Sequence, residues 1–381
     1  MIDVKGQREK ENLKGQVLKI HSDFYYVNFE KEIYECKMRE VLKKQKEKIL
    51  VGDFVQCGEI NENRHTGVIE KILPRKNFLT RPSVANVEQV VIVSSIKEPD
   101  LDFGQLNRYI CFAKYHKIKT KLCFNKNDLS EDDSVIEKIF QIYEPLGFEI
   151  VFTSALEKLG IEDFIEILGS KTTVFAGNSG VGKSSLINSI CPDLNIKTKQ
   201  VSEKTSRGTH TTRHCEIIEI KHGKKLIKII DTPGFSNVKF DFLMPNQIDE
   251  LFDEIKKYKS GCKFKDCLHI EADCEQRLKG SETSEAVTPF NASTQAAGCN
   301  VLANIDDIDL SRYQSYLSFV QEAKEFKEKV RAQGSKKETS QKETSQKEGL
   351  NKQVAKISTR KRQGARNTLK QNLYKDLKED E

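Results

Sequence analysis

Apolar and polar positions alternate with a period of two through VLKI, FYYVNF, IYECKM, FVQCGEI and GVIEKIL, all within residues of about 14–75. Charged or glycine-containing turns such as VGD and NENRHTG separate these stretches. A period of two places successive side chains on opposite faces of a strand, so the segment predicts several short strands and the beginnings of a small barrel. From about residue 88 the pattern changes. Apolar runs (VEQVVIVSSI, TKLCFNKND, FEIVFTSA, KTTVFAGNSG, HCEIIEI, KLIKIIDTPG) now alternate with amphipathic stretches such as LNRYICFAKYHK and VIEKIFQIYEPLG. Strand and helix in alternation predict a mostly parallel sheet with helices on its faces, an α/β unit. A Cys/His cluster follows at 262–274, then small and polar residues at about 280–300, and then SRYQSYLSFVQEAKEFKEKVRAQ, which predicts a helix. The last fifty or so residues contain the repeat KETSQKETSQ and a Lys/Arg-rich run with few apolar anchors, a composition expected to lack fixed structure or to order on contact.

Length and composition narrow the class. A chain of 381 residues with 37% hydrophobic residues is long enough for two or three domains with ordinary cores. A run of about 18 consecutive apolar residues is absent, and the amino-terminal MIDVKGQREKENLKG is charged where a secretory signal would be apolar. The expectation is a cytoplasmic monomer with no membrane association. In that compartment ten cysteines point to reduced thiols or metal ligands rather than disulfides. The formal net charge of +6 permits a polyanionic partner without requiring one.

The chemistry sits in short motifs. Gly177-Asn178-Ser179-Gly180-Val181-Gly182-Lys183-Ser184 fits the phosphate-loop pattern GxxxxGK[ST], and it stands where the strand TTVFA gives way to SSLINSI, which begins at Ser184-Ser185. Glycines there let backbone N–H groups wrap a phosphate, and the helix N-terminus adds a field favourable to negative charge. Lys183 would reach the β- and γ-phosphates, and Ser184 would ligate Mg²⁺. Downstream, Asp231-Thr232-Pro233-Gly234 ends another apolar strand. An aspartate in this DxxG element holds Mg²⁺ through water, and its glycine amide senses the γ-phosphate. Between the two lies RGTHTTRH, whose Thr211 and Thr212 suit a loop that closes on Mg²⁺; spacing leaves open which hydroxyl is the ligand.

Base choice is written in Asn125-Lys126-Asn127-Asp128, an NKxD pattern. A carboxylate at Asp128 accepts from the guanine N1–H and 2-amino group, donors that adenine does not offer, while Lys126 lays its aliphatic stem over the base. Thr153-Ser154-Ala155 forms the second base-contacting loop, with Ser154 and Ala155 offering backbone N–H groups to the guanine carbonyl. In common GTPases the phosphate loop comes first, whereas here the base-reading loops precede it. A circular permutation accounts for this order, because joining the old ends and cutting at a surface connection leaves the site intact. The residue after DTPG is Phe235, which cannot orient a water as glutamine does in many GTPases. His210, beside the threonine pair, is the candidate to complete catalysis.

With these residues in place, the chain resembles the ribosome small subunit-dependent GTPase A family of bacteria. The resemblance runs through ILPRKNFLTRPSVANVEQVVIV, FNKNDL, TSAL, GNSGVGKSSLIN, RGTHTTR, DTPGF, CKFKDCLH and SRYQSYL, over roughly residues 15–275 and 310–325. It implies an OB-fold amino-terminal barrel, a circularly permuted P-loop GTPase core and a C-terminal zinc-binding helical domain. It further implies GTP/GDP and Mg²⁺ as ligands, the small (30S) ribosomal subunit and its rRNA as partners, and a role in checking or releasing assembly factors late in subunit maturation. The expected domains are 1–75, 76–243 and 244–330, with 331–381 as a basic tail. Cys262, Cys267, His269 and Cys274 form a set able to close one structural tetrahedral Zn²⁺ site, with no position left for a catalytic water. Cys299, in a stretch that intervenes before the RYQSYL segment, is expected to be an unpaired thiol. Phe24, Tyr25 and Tyr26 share an early strand and offer aromatic surface for RNA, although alternating core and surface positions would look the same. Two other readings remain: a non-catalytic module that GTP merely stabilises, and an ATP-dependent factor, which Asp128 disfavours.

Overall fold

The computed structural model describes residues 13–192, 215–231, 238, 240, 243–270 and 298–347, apart from Lys31, Lys46 and Arg81, and for Thr80, Asp231 and residues 332–347 it defines the backbone only. His210, Thr211, Thr212, Gly234, Phe235 and Cys274 lie outside the described residues. The chain divides into two compact units, Met1–Val238 with Asp307–Ser315, and Lys239–Asp306 with Tyr316–Glu381.

In the first unit the alternating segments become β1 (Leu13–His21), β2 (Phe24–Phe29), β3 (Glu32–Met38), β4 (Phe54–Asn61) and β5 (Thr66–Ile72). Their pairing runs β1-β2-β3-β5-β4, and β4 returns to β1, so the sheet closes into a five-stranded OB-like barrel. Closure satisfies both edges, which open strands would leave exposed. Val17, Val27, Cys36, Val55, Cys57 and Ile69, the inward positions of the alternation, are fully buried inside, and Leu42 of α1 (Glu40–Lys44) packs against them. Asp53 is wholly buried at the barrel's end and is held by a bidentate pair from Arg75, at 2.7 Å to Oδ1 and 2.9 Å to Oδ2. A short hairpin of β6 (Phe78–Thr80) and β7 (Ser83–Ala85) leads out of the barrel, fastened where Asn86 donates to the Gly52 carbonyl at 3.0 Å.

The α/β sheet follows: β8 (Gln89–Ser95), β9 (Lys119–Asn125), β10 (Glu149–Phe152), β11 (Thr172–Ala176), β12 (Glu216–His222) and β13 (Lys225–Asp231). The order in space is β10-β9-β8-β11-β13-β12, all parallel except β12, which forms a hairpin with β13. β11 is buried along its whole length and β8 nearly so, which is why they read as unbroken apolar runs rather than alternations. Helices α2 (Phe103–Tyr115), α3 (Ser134–Tyr143), α4 (Ile161–Leu168) and α5 (Lys183–Ile190) cover the sheet. Phe164 and Leu168 of α4 and Leu186 and Ile187 of α5 share one core with β8, β9, β11 and β13. β11 comes late in the chain yet sits in the middle of the sheet, between β8 and β13, the arrangement that a permuted connection requires.

The second unit contains a 3₁₀ segment (Pro245–Leu251), α6 (Asp253–Lys259), α7 (Asn300–Ala303) and, from Tyr316 on, the helix α8 (Leu310–Lys347), whose first residues belong to the first unit. Its core is aromatic: Phe240 and Phe319 lie 4.9 Å apart, and Phe252 meets Tyr316 edge-on at 5.6 Å. The backbone stays helical to Lys347, past residue 331 where the sequence was expected to lose fixed structure. Lys, Glu and Gln, three of the five residues in the KETSQ repeat, are strong helix formers, so the repeat extends a helix whose first turns are anchored in the core by Tyr316, Phe319 and Val320.

Candidate nucleotide and metal sites

The phosphate loop spans the turn from β11 to α5. Gly177 sits at φ +142, where a Cβ would stand 2.1 Å from the Val93 carbonyl oxygen, and Gly182 at φ +94, where a Cβ would stand 2.1 Å from Asn125 Nδ2. Both positions require glycine, which has no Cβ to clash. Gly180 also adopts positive φ, Ser179 is exposed at the rim, and Ser184 and Ser185 open the first turn of α5 half-buried. Lys183 folds back to donate to the carbonyls of Gly177 and Asn178 at 2.8 and 2.7 Å. Burial pushes its ammonium down to about 8.

Asn125 ties three loops together. Only 1% exposed at the end of β9, it donates Nδ2 to the Val181 carbonyl at 2.9 Å, while its Oδ1 accepts from Thr153 Oγ1 and the Ala155 amide, each at 3.1 Å. A single side chain thus sets the phosphate loop against the Thr153-Ser154-Ala155 loop. Lys126 adopts a left-handed backbone at φ +60 and donates to the Glu98 carbonyl, and the Asn127 amide donates to Thr153 O at 3.0 Å. Asp128 is exposed. Ser154 is fully buried; its hydroxyl accepts from the Glu157 amide at 3.0 Å, and its backbone pairs with Leu159 to close the small loop. The NKND, TSA and phosphate-loop segments therefore lie side by side at the C-terminal ends of β9, β10 and β11, where open α/β sheets hold ligands. The backbone of Asp231 ends β13 in the same sheet.

Sequence reasoning missed one participant in this loop. Tyr109 of α2, 2% exposed, donates its hydroxyl to Asn178 Oδ1 at 3.0 Å. Its position in an amphipathic helix reads as an ordinary core residue, and only the tertiary contact distinguishes it.

In the second unit Cys262, Cys267, His269 and Cys299 converge, each offering one ligand atom within 4.8 Å of the others. Cys299 is therefore no isolated thiol: it occupies a place in the cluster beside the three residues expected there, and Cys274 lies outside the described residues. The spacing misled because the extra residues separate Cys299 from His269 in sequence, while the fold reunites them: Lys263 N donates to Gly298 O at 2.8 Å, and Asn300 Nδ2 donates to Tyr258 O at 2.9 Å. Donor chemistry and distances suit a tetrahedral soft cation. Metal–sulfur bonds of about 2.3 Å and metal–nitrogen bonds of about 2.0 Å place ligand atoms roughly 3.5–3.8 Å apart. Here Nδ1 of His269 lies 3.4 Å from the Cys299 sulfur and 3.6 Å from that of Cys262, and the two sulfurs are 3.9 Å apart.

Comparison with known proteins agrees with this geometry. The family model described as RsgA N-terminal domain matches residues 14–69, and the one described as RsgA GTPase matches residues 72–241. Proteins named small ribosomal subunit biogenesis GTPase RsgA are similar: that of Alkaliphilus metalliredigens is 37% identical over 311 residues, covering 82% of this chain and 98% of its own. That of a Geobacillus species is 38% identical over 317 residues, covering 82% and 98%. Among solved structures, YjeQ from Thermotoga maritima is 31% identical with a TM-score of 0.65 over 82% of this chain and 98% of its own. YloQ, described as a circularly permuted GTPase, is 31% identical with a TM-score of 0.64 over 84% and 97%. The chain belongs to the RsgA family of GTP hydrolases.

Proposed function

We propose that the protein hydrolyses GTP to GDP and phosphate during maturation of the small ribosomal subunit, and that binding to the subunit stimulates turnover. The observation that carries the nucleotide half is the Asn125 clamp, which sets the NKND and TSA loops against the phosphate loop at one end of the sheet. The subunit half follows from the names of the relatives that match almost end to end. Lys183 would exchange its two carbonyl partners for phosphate oxygens, since a buried ammonium gains most from an anionic partner. Ser184, Asp231 and one of Thr211 and Thr212 would hold Mg²⁺, which neutralises charge on the transferring phosphoryl group, and the Gly234 amide would register the γ-phosphate. Asp128, Lys126 and the Ser154-Ala155 backbone would read guanine, and His210 would complete the site when a partner orders its loop.

The Cys/His cluster would hold one structural Zn²⁺ through Cys262, Cys267, His269 and Cys299, the last taking the place first given to Cys274. The barrel would contact rRNA. Phe24, Tyr25 and Tyr26 are all partly exposed on β2, and Lys37 lies over the Phe24 ring at 5.2 Å, so aromatic and cationic surface coincide there. A cytoplasmic monomer fits this role, and no helix among the described residues is long and apolar enough to cross a membrane. The test is GTP and ATP turnover with and without purified small subunits. Subunit-stimulated hydrolysis selective for GTP is expected. Tight GTP binding without turnover in either condition would reduce the protein to a GTP-stabilised binding module.

A further inference from the structure

Asp249 lies in the 3₁₀ segment before α6, only 1% exposed, and a carboxylate so placed is costly unless it serves a partner. Two groups face it. The Lys259 ammonium is 2.8 Å from Oδ2, and His269 Nε2 is 3.5 Å from the same oxygen. His269 is itself fully buried, with its other nitrogen, Nδ1, turned toward the sulfurs of Cys262 and Cys299. The ring therefore stands between thiols on one side and a carboxylate on the other.

We propose that Asp249, backed by Lys259, is the outer-shell partner of the metal site, accepting the Nε2 proton of His269 so that the ring presents Nδ1 to the metal. The inference rests on the reading of the Cys/His cluster as a metal site. An imidazole that ligates through one nitrogen must carry its proton on the other, and a fixed acceptor there selects the tautomer and stops the ring from turning away. Three thiolates and a divalent cation leave a net negative centre, so an added carboxylate needs a compensating charge. Lys259 supplies it from the partly exposed side, with a second contact to Glu250 at 2.9 Å that anchors its chain. Both oxygens of Asp249 and Nε2 of His269 are buried without a hydrogen bond in proper geometry, so the contacts at 2.8 and 3.5 Å are ion-pair approaches. A metal that fixes the ring through Nδ1 would bring Nε2 into line with the carboxylate. The consequence is that the 3₁₀ segment and α6 are joined to the metal through a side chain, and not only by packing.

The experiment measures zinc affinity of the full chain by competition with a chromophoric chelator, in wild type, Asp249→Asn and Lys259→Met. Wild-type chain should bind one zinc; if it binds none, the metal reading itself fails. Given wild-type binding, Asp249→Asn should weaken affinity by about 10–100-fold, the range for loss of an outer-shell partner. Lys259→Met, at a position whose side chain is 26% exposed and so tolerant of change, should weaken it by about threefold or more. Co²⁺ substitution adds a readout that a merely structural ion pair would not move: the thiolate-to-cobalt absorption should shift in both variants. Affinity within about twofold of wild type and unchanged cobalt spectra would overturn the inference. Should Asp249→Asn fail to fold, the Lys259→Met affinity and spectrum decide it alone.

Discussion

Asn125 shows how much of a nucleotide site one side chain can support. Two of its three hydrogen bonds are buried and the third, from the Ala155 amide, is partly so; truncation takes a partner from the Val181 carbonyl, the Thr153 hydroxyl and the Ala155 amide together. Asn125→Ala is expected to destabilise the first unit by about 1–3 kcal/mol, the cost of leaving buried polar groups unpaired, and to weaken GTP binding as well. Chemical denaturation and nucleotide titration check the two effects separately. Asp128, exposed at the surface, is expected to act on selectivity instead of stability. Asp128→Asn should weaken GTP binding and favour xanthosine triphosphate, whose 2-position carbonyl prefers a donor; unchanged GTP affinity would remove Asp128 from the base site. Lys183 carries a pH signature. Its ordinary value is 10.5, and burial lowers it to about 8. Phosphate favours the charged form, so GTP binding should take up a proton and lose affinity as pH rises through about 8, which calorimetry in buffers of different ionisation enthalpy detects. For the nucleotide-free protein the sign is opposite. A base with a lowered value costs stability below that value, and the cost fades as pH rises from about 8 toward 10.5.

At the scale of elements, the phosphate loop was legible because its chemistry is local. Glycines at positive φ, a lysine and a serine at a helix start must be consecutive for the backbone to wrap a phosphate. The Cys/His cluster was legible only in part. Cys262, Cys267 and His269 lie within one short segment, but the fourth position depends on a loop whose length the ligand chemistry does not constrain, and the structure brings Cys299 to it. Cys299→Ser should therefore abolish stoichiometric zinc, as Cys267→Ala should, whereas Cys274→Ser should leave one zinc per chain by elemental analysis. Retention of zinc in Cys299→Ser would return the fourth position to Cys274. Loss of metal should also loosen the packing of Phe252 and Tyr316, since the Tyr316 hydroxyl donates to the Leu268 carbonyl, next to His269, at 2.7 Å.

For the molecule as a whole, the central expectation is slow hydrolysis alone and fast hydrolysis on the subunit. Phe235 cannot position a water, and positioning with charge stabilisation supplies most of phosphoryl-transfer catalysis. Addition of small subunits is expected to raise turnover by roughly two or more orders of magnitude, within the range seen when a partner completes such a site. His210→Ala should remove most of that rise and leave GTP affinity nearly intact. Full stimulation in the variant would assign the role to another residue or to rRNA.

What the sequence determined by itself is whatever depends on neighbours in the chain: the period-two strands of the barrel, the strand and helix alternation, the nucleotide motifs, and their permuted order. What only the tertiary structure decided depends on residues far apart in sequence. Closure of the barrel through β4 and β1 is one case, since either strand alone gives the same alternation in an open sheet. The contact of Tyr109 with the phosphate loop is another, because a buried tyrosine in a helix looks the same whatever its hydroxyl meets. Cys299 and Asp249 complete the set. A metal or an imidazole selects its partners by distance and direction in space, and the intervening chain is free to vary in length without changing either.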